Sequence, residues 1–196
     1  EANNSFRTVL QDLQAKTGLN VEMGYLLSIE ENVYEYTSIE GEAGQGYIDF
    51  NVAGTIDGYM HTHYQGLLSN FSGSDIKAIY DLYINGNIEN FKTFTASVVT
   101  AHGTSYSLKI ESPSNFISFG SSNLTSGNFT NFEQHYLNWY NSYVNFYNKS
   151  EIEARELSLI RTLENSGLTL FKSNADFSSW EKLEIENENI VINDCI

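Results

Sequence analysis

The chain has one cysteine, Cys195, so no disulfide can form within it. Cys195 stands one residue from the C-terminal end, where a structural or incidental role is the expectation. Basic residues are scarce. Ten Lys and Arg face 25 Asp and Glu, giving a formal net charge of −15 and a pI of about 4.4. Phosphate backbones and anionic membrane surfaces repel such a surface, so neither nucleic acid nor membrane is expected as a partner. No apolar run approaches the length of a membrane-spanning helix. The sequence starts at Glu1 without Met and shows no signal peptide, which reads as a processed or cloned fragment of something longer and leaves the compartment open.

What is present suffices for a folded core. A chain of 196 residues with 41% hydrophobic and 14% aromatic content is long enough for one domain with a sizeable interior. No internal repeat or linker stands out. The expectation is therefore a single domain over 1–196, with a core over about 5–112 and a C-terminal extension over about 113–196.

The chemistry concentrates between Gly58 and Asp81. Tyr59, His61 and His63 alternate with Met60 and Thr62 as on a strand, so both imidazoles leave one face. Two residues of strand rise separate their backbones by about 7 Å, close enough to converge on one ion where the strand twists. Ser72-Gly73-Ser74-Asp75 then precedes Ile76, Ile79, Tyr80 and Tyr83, which recur at helical spacing. A strand end and a helix N-terminus can thus bring His61, His63 and Asp75 together. Two imidazoles and a carboxylate suit zinc, and three protein ligands leave one position for water. The plainer alternative is two surface histidines beside an ordinary capping box of Ser72 and Asp75.

His-x-His, about ten residues, then Ser-x-x-Asp resembles the signature of the JAMM (MPN+) metalloproteases. Tyr64 stands where that family usually has Pro, and the gap from His63 to Asp75 is one residue longer. The matching stretch runs from about Val21 to Tyr83. The resemblance implies a zinc isopeptidase or peptidase whose metal ligands are His61, His63 and Asp75, and whose Ser72 donates a hydrogen bond to the oxyanion. It also implies a glutamate base on the strand after the first helix. Glu22-Met23-Gly24-Tyr25-Leu26 resembles that pattern with one residue fewer, which makes Glu22 the candidate. Glu40 or Glu42 is the fallback, and Gly24 would let a substrate backbone approach. The partner implied is a peptide or isopeptide substrate. Two alternatives stay open: a non-catalytic binding or scaffolding module on the same fold, and a metal-free acidic interaction domain.

The remaining elements follow from periodicity. A helix is expected over Ser5–Thr17, and strands over Leu19–Ser28, Tyr47–Val52 and the histidine segment. A helix from Ser74 to about Ile84 comes next, then a hairpin over Phe91–Thr100 and Ser105–Glu111 with His102 in its turn, facing solvent. Pro113, the only proline, ends that hairpin. Asn115–Asn128 reads as a polar loop with at most a short helix. Helices over Asn131–Asn148 and Ser150–Asn165 follow, the first with an aromatic stripe expected in the core. Strands over Leu168–Lys172 and Trp180–Ile192 close the chain. The expected architecture is α+β, a central mixed β-sheet flanked by helices, JAMM/cytidine-deaminase-like, with a C-terminal helical pair appended.

Overall fold

The computed structural model describes residues 2–31 and 33–194. Cys195, and any role expected of it, lies outside the described residues. Among the described residues the architecture is α+β, with five helices and eight strands in one mixed sheet of order β2-β1-β3-β4-β5-β6-β7-β8. α1 (Ala2–Lys16) leads into the hairpin of β1 (Met23–Glu30) and β2 (Val33–Glu40). An irregular stretch connects this hairpin to β3 (Gly58–His63). After α2 (Gly73–Ile84) come β4 (Thr95–Thr100) and β5 (Ser105–Ile110). Three helices follow, α3 (Pro113–Asn123), α4 (Phe129–Asn145) and α5 (Glu151–Thr162), and then β6 (Leu168–Ser173), β7 (Trp180–Glu186) and β8 (Asn189–Asp194).

The β3–β4 pair is parallel and every other neighbouring pair is antiparallel. A parallel pair needs a crossover, and α2 supplies it. That is why the helix after the histidine strand returns across the sheet and sets its N-terminus at the end of β3.

Helices lie on both faces. Leu10 and Leu13 of α1 pack with Leu27, Met60, Val99 and Phe177 on one face. The other face carries the larger core: Tyr59, Val98, Tyr106 and Leu108 of the sheet against Ile76 and Ile79 of α2, Phe116 of α3, Phe132 of α4 and Leu159 of α5. Each side chain of β3 is buried, as expected of a central strand covered on both faces.

Five segments differ from what periodicity predicts, the first being Val33–Glu40, which pairs with β1 as β2 where no strand is expected. Tyr47–Val52 forms no strand. Its apolar residues are used as single anchors instead, Phe50 lying 4.1 Å from the Tyr59 ring between centroids. Asn115–Asn128 largely belongs to α3, which Pro113 opens at its first turn. Gly120, which suggests a loop in the sequence, sits where a Cβ would stand 2.1 Å from the Tyr80 ring, so it is a close-approach position between α3 and α2. Trp180–Ile192 is two strands, because Asn187 (φ 50°) and Glu188 (φ 59°) form a two-residue turn between β7 and β8. The aromatic stripe of α4 is mixed: Phe132 and Tyr143 are buried, while Phe146 is 81% exposed.

Candidate metal centre

The centre forms where β3 ends and α2 begins. β3 places Tyr59, His61 and His63 on the face toward α2, and His61 and His63 are 1% and 2% exposed. Asp75 is the third residue of α2. Its Oδ2 accepts the Ser72 backbone N–H at 2.6 Å, and its own N–H donates to Ser72 Oγ at 3.2 Å. This capping box holds the carboxylate at the helix start, beside the imidazoles. The metal and capping readings of Ser72 and Asp75 therefore do not compete.

The geometry is compact. His61 Nε2 and His63 Nε2 lie 3.2 Å apart. Asp75 Oδ1 is 3.2 Å from His61 Nε2, and Oδ2 is 3.3 Å from His63 Nε2. Ligands at about 2.0–2.1 Å from a tetrahedral ion stand about 3.3 Å from one another, so these separations match the edges of one coordination shell. His61, His63 and Asp75 form a group able to hold a metal ion, with ligand atoms all within 4.8 Å.

The surroundings prepare the ligands. His63 Nδ1 lies 3.0 Å from the Leu68 carbonyl oxygen. A carbonyl only accepts, so Nδ1 carries the proton and Nε2 presents its lone pair to the centre. The loop bearing Leu68 is fastened on either side. His102 Nε2 meets the Leu67 carbonyl at 3.0 Å, and Thr104 Oγ1 donates to the Ser69 carbonyl at 2.6 Å. Three successive carbonyls are thus held by side chains of β3 and of the β4–β5 turn. His61 stands among Phe50, Tyr59 and Phe71, with ring centroids 5.9–6.2 Å away. Tyr59 also donates to the Asp75 backbone carbonyl at 3.2 Å.

Glu22 is 1% exposed, just ahead of β1. The antiparallel register pairs Gly24 with His61, so two residues further along it Glu22 falls opposite His63 on the same face. There Met23 N–H donates to Thr62 Oγ1 at 2.9 Å in place of a ladder bond. Glu22 Oε1 lies 3.8 Å from His63 Nε2 and makes no hydrogen bond to the protein. An unpartnered buried carboxylate oxygen is costly, and it indicates that something else meets it there.

The charges answer one another. Burial raises the Glu22 carboxyl, and the positive fields of His61 and His63 offset this only in part. Burial would raise Asp75 too, yet His61 and His63 hold it well below the usual carboxylate range. Burial works to lower His63, but the Asp75 hydrogen bond and charge, with Glu22, raise it above its ordinary value. A cation entering the group would compete with any proton held between the imidazoles and Asp75.

The other candidates lie elsewhere. Glu40 and Glu42 are exposed, and neither forms an ion pair with the two histidines. His102 is exposed and serves the loop. His135 accepts from Trp139 Nε1 at 2.9 Å on α4. Gly24 is packed, a Cβ there standing 2.6 Å from the Met60 carbonyl oxygen, so its small size serves the sheet rather than an approaching substrate. Ser72 Oγ donates to Asp75 Oδ2 at 2.8 Å. The Leu68 carbonyl and its two fastenings carry no sequence signal, because a backbone acceptor has no residue type.

No protein-family profile matches the chain, and no curated protein matches it. Among the described residues, no helix is long and apolar enough to cross a membrane.

Proposed function

We propose that the chain is a zinc-dependent hydrolase of amide bonds, a peptidase or isopeptidase on a JAMM-type fold. The observation that carries this reading is Glu22: a second buried carboxylate, with a bare oxygen, beside a His-His-Asp group. A site built only to hold an ion needs no such acid. His61, His63 and Asp75 would hold zinc, a set of the kind catalytic zinc sites use. When bound, zinc supplies a Lewis acid and a water whose pKa falls to about 7.

The chain's own groups do the rest. Glu22 takes up a proton at Oε1 and delivers it to the leaving amine nitrogen. The Leu68 carbonyl keeps His63 in the tautomer that leaves Nε2 free. Phe50, Tyr59 and Phe71 keep bulk water from His61, which strengthens every charge interaction there. Ser72 can donate to a developing oxyanion once its hydroxyl leaves Asp75. The partner is a peptide or isopeptide, and the net charge of −15 argues against nucleic acid.

The test is elemental analysis of protein purified without chelator, followed by cleavage of fluorogenic peptide and isopeptide libraries. About one zinc per chain and cleavage abolished by Glu22→Gln are expected. Zinc well below one equivalent, with none taken up on titration, overturns the reading.

One observation favours a second reading. The Ser72 hydroxyl is already engaged with Asp75, as a cap needs and an oxyanion donor does not. A non-catalytic metal-binding module on the same fold would take up zinc and cleave nothing. A metal-free acidic interaction domain would take up none.

A further inference from the structure

A cavity of about 280 Å³ opens at the start of α2, where Ser72 caps Asp75. It begins at Phe71, Ser72 and Gly73, where α2 starts, and runs between α4 and α5. Leu68, Phe132, Leu137 and Leu159 make its walls apolar. Its residues therefore join the residue that caps Asp75 to the C-terminal helices.

We infer that this cavity takes one bulky uncharged side chain of the substrate, from a residue next to the amide presented to the metal centre. The identity of the occupant rests on the hydrolase reading above. Four observations lead to it.

The first is continuity. Ser72 and Gly73 belong both to the cavity and to the helix start that positions Asp75. A chain with an amide at the centre would bring a neighbouring side chain here within one or two residues. The second is space at the junction. A Cβ on Gly73 would meet Glu133 Cγ at 3.3 Å, Phe129 Cζ at 3.4 Å and Phe132 Cε1 at 3.5 Å, so glycine keeps this mouth open.

The third is charge. Arg155, the one cation of the lining, donates to Glu151 Oε1 at 2.9 Å and lies over the Tyr140 ring. Glu133 is the other charged residue of the lining, and it is exposed. An acidic side chain would leave water and find Arg155 already engaged, and a basic one would leave water against apolar walls for a single carboxylate, Glu133, that is exposed and screened by solvent. The fourth is an apolar lip. Leu137 is 46% exposed although it lines the cavity, so an occupant would cover apolar surface that water now meets. Tyr136 also belongs to the lining, and its buried hydroxyl lies near Asn70 and Arg155 without a hydrogen bond of good geometry. The cavity thus has the character of a small-molecule site, with apolar walls and few polar groups.

The experiment titrates the protein, with and without added zinc, with the N-acetyl amides of phenylalanine, leucine, alanine, glutamate and lysine. Backbone amide NMR shifts of Ser72, Gly73 and Leu137 report binding. Phenylalanine and leucine amides should give saturable shifts there at least tenfold tighter than the alanine amide, and the charged ones none. Leu137→Glu, a surface change, should weaken the phenylalanine amide about tenfold and leave the thermal midpoint unchanged. Equal binding of alanine and phenylalanine amides, or binding insensitive to Leu137→Glu, overturns the inference. Cleavage without side-chain preference overturns it as well and leaves the hydrolase standing. Binding at these residues in protein that takes up no zinc upholds the cavity and overturns the hydrolase reading alone.

Discussion

His63 Nδ1 lies 3.0 Å from the carbonyl oxygen of Leu68, five residues along the chain. This contact makes the loop after β3 part of the candidate metal centre, although it offers no ligand. Thr104 holds the same loop through the Ser69 carbonyl, and Thr100 Oγ1 lies 2.8 Å from Thr104 Oγ1.

The first prediction concerns that fastening. Thr104→Val removes the hydroxyl and keeps the shape, so the loop loses the bond to Ser69 and His63 is oriented less firmly. Zinc affinity should fall about tenfold, the lower end for groups that orient a ligand. Thr104→Ser should restore it. Competition with a chromophoric chelator measures the change. Equal affinity in wild type and Thr104→Val would show that the loop does not position His63.

The second prediction separates the two tasks of Asp75. Its Oδ2 accepts from the Ser72 N–H and also faces His63. Asp75→Asn keeps an acceptor for the helix cap but removes the charge, so zinc should be lost, while the metal-free protein loses its attraction to His61 and His63 and keeps the cap. Asp75→Ala should lose zinc and also about 1 kcal/mol of stability with the cap. Calorimetry on chelator-treated protein reads the difference. Identical midpoints for the Asn and Ala variants would mean that the cap contributes nothing. His61→Ala should also abolish zinc uptake, whereas His135→Ala, far along α4, should not.

Much of this centre was legible in the sequence because its signals are local. Alternation along five residues places Tyr59, His61 and His63 on one face, and Ser72 with Asp75 marks a helix start. Glu22 was legible only in part. Its burial depends on the β1–β3 register, which no local pattern encodes. Tyr47–Val52 misled because alternating apolar residues also serve irregular chain that anchors side chains singly, as Phe50 does on Tyr59. Asn115–Asn128 misled because Gly120 is explained by a tertiary contact with Tyr80 rather than by backbone freedom. The turn at Asn187 and Glu188 lacks the glycine that commonly marks a two-residue hairpin. The cavity at α4 and α5 depends on three elements meeting, and nothing in one segment announces it.

The third prediction concerns pH and lies away from the candidate metal centre. Glu188 accepts from the Tyr143 hydroxyl at 2.7 Å and from Arg161 Nη2 at 2.8 Å. The Tyr143 hydrogen bond first, and then Arg161, hold its carboxyl below the ordinary value. Its folded pKa is depressed, so its contribution to stability is present above the unfolded value of about 4.5. That contribution is lost as pH falls through the lower folded value, where the native state also binds the proton. Glu188→Gln should therefore lower the thermal midpoint more at pH 7 than at pH 3. A loss of the same size at both pH values would show that the charge of Glu188 does not matter.

The last prediction bears on Glu22 and is the most direct test of catalysis. Its Oε1 is buried without a hydrogen bond, 3.8 Å from His63 Nε2. Glu22→Gln preserves the shape and removes the proton acceptor. Zinc content should stay near one equivalent, because His61, His63 and Asp75 are untouched. Metal-free stability should not fall, because a neutral amide is easier to bury than a carboxylate with a bare oxygen. Cleavage of peptide or isopeptide should drop by about a hundred- to ten-thousand-fold, the range for losing a positioned general base. Glu40→Gln and Glu42→Gln, on exposed positions, should cleave as wild type does. Loss of zinc in Glu22→Gln would make Glu22 a fourth ligand and the site a closed, structural one. Undiminished cleavage with zinc retained would move the base to another residue. Zinc retained in the wild type with no cleavage of any library member would leave the metal group intact and the chain a binding module.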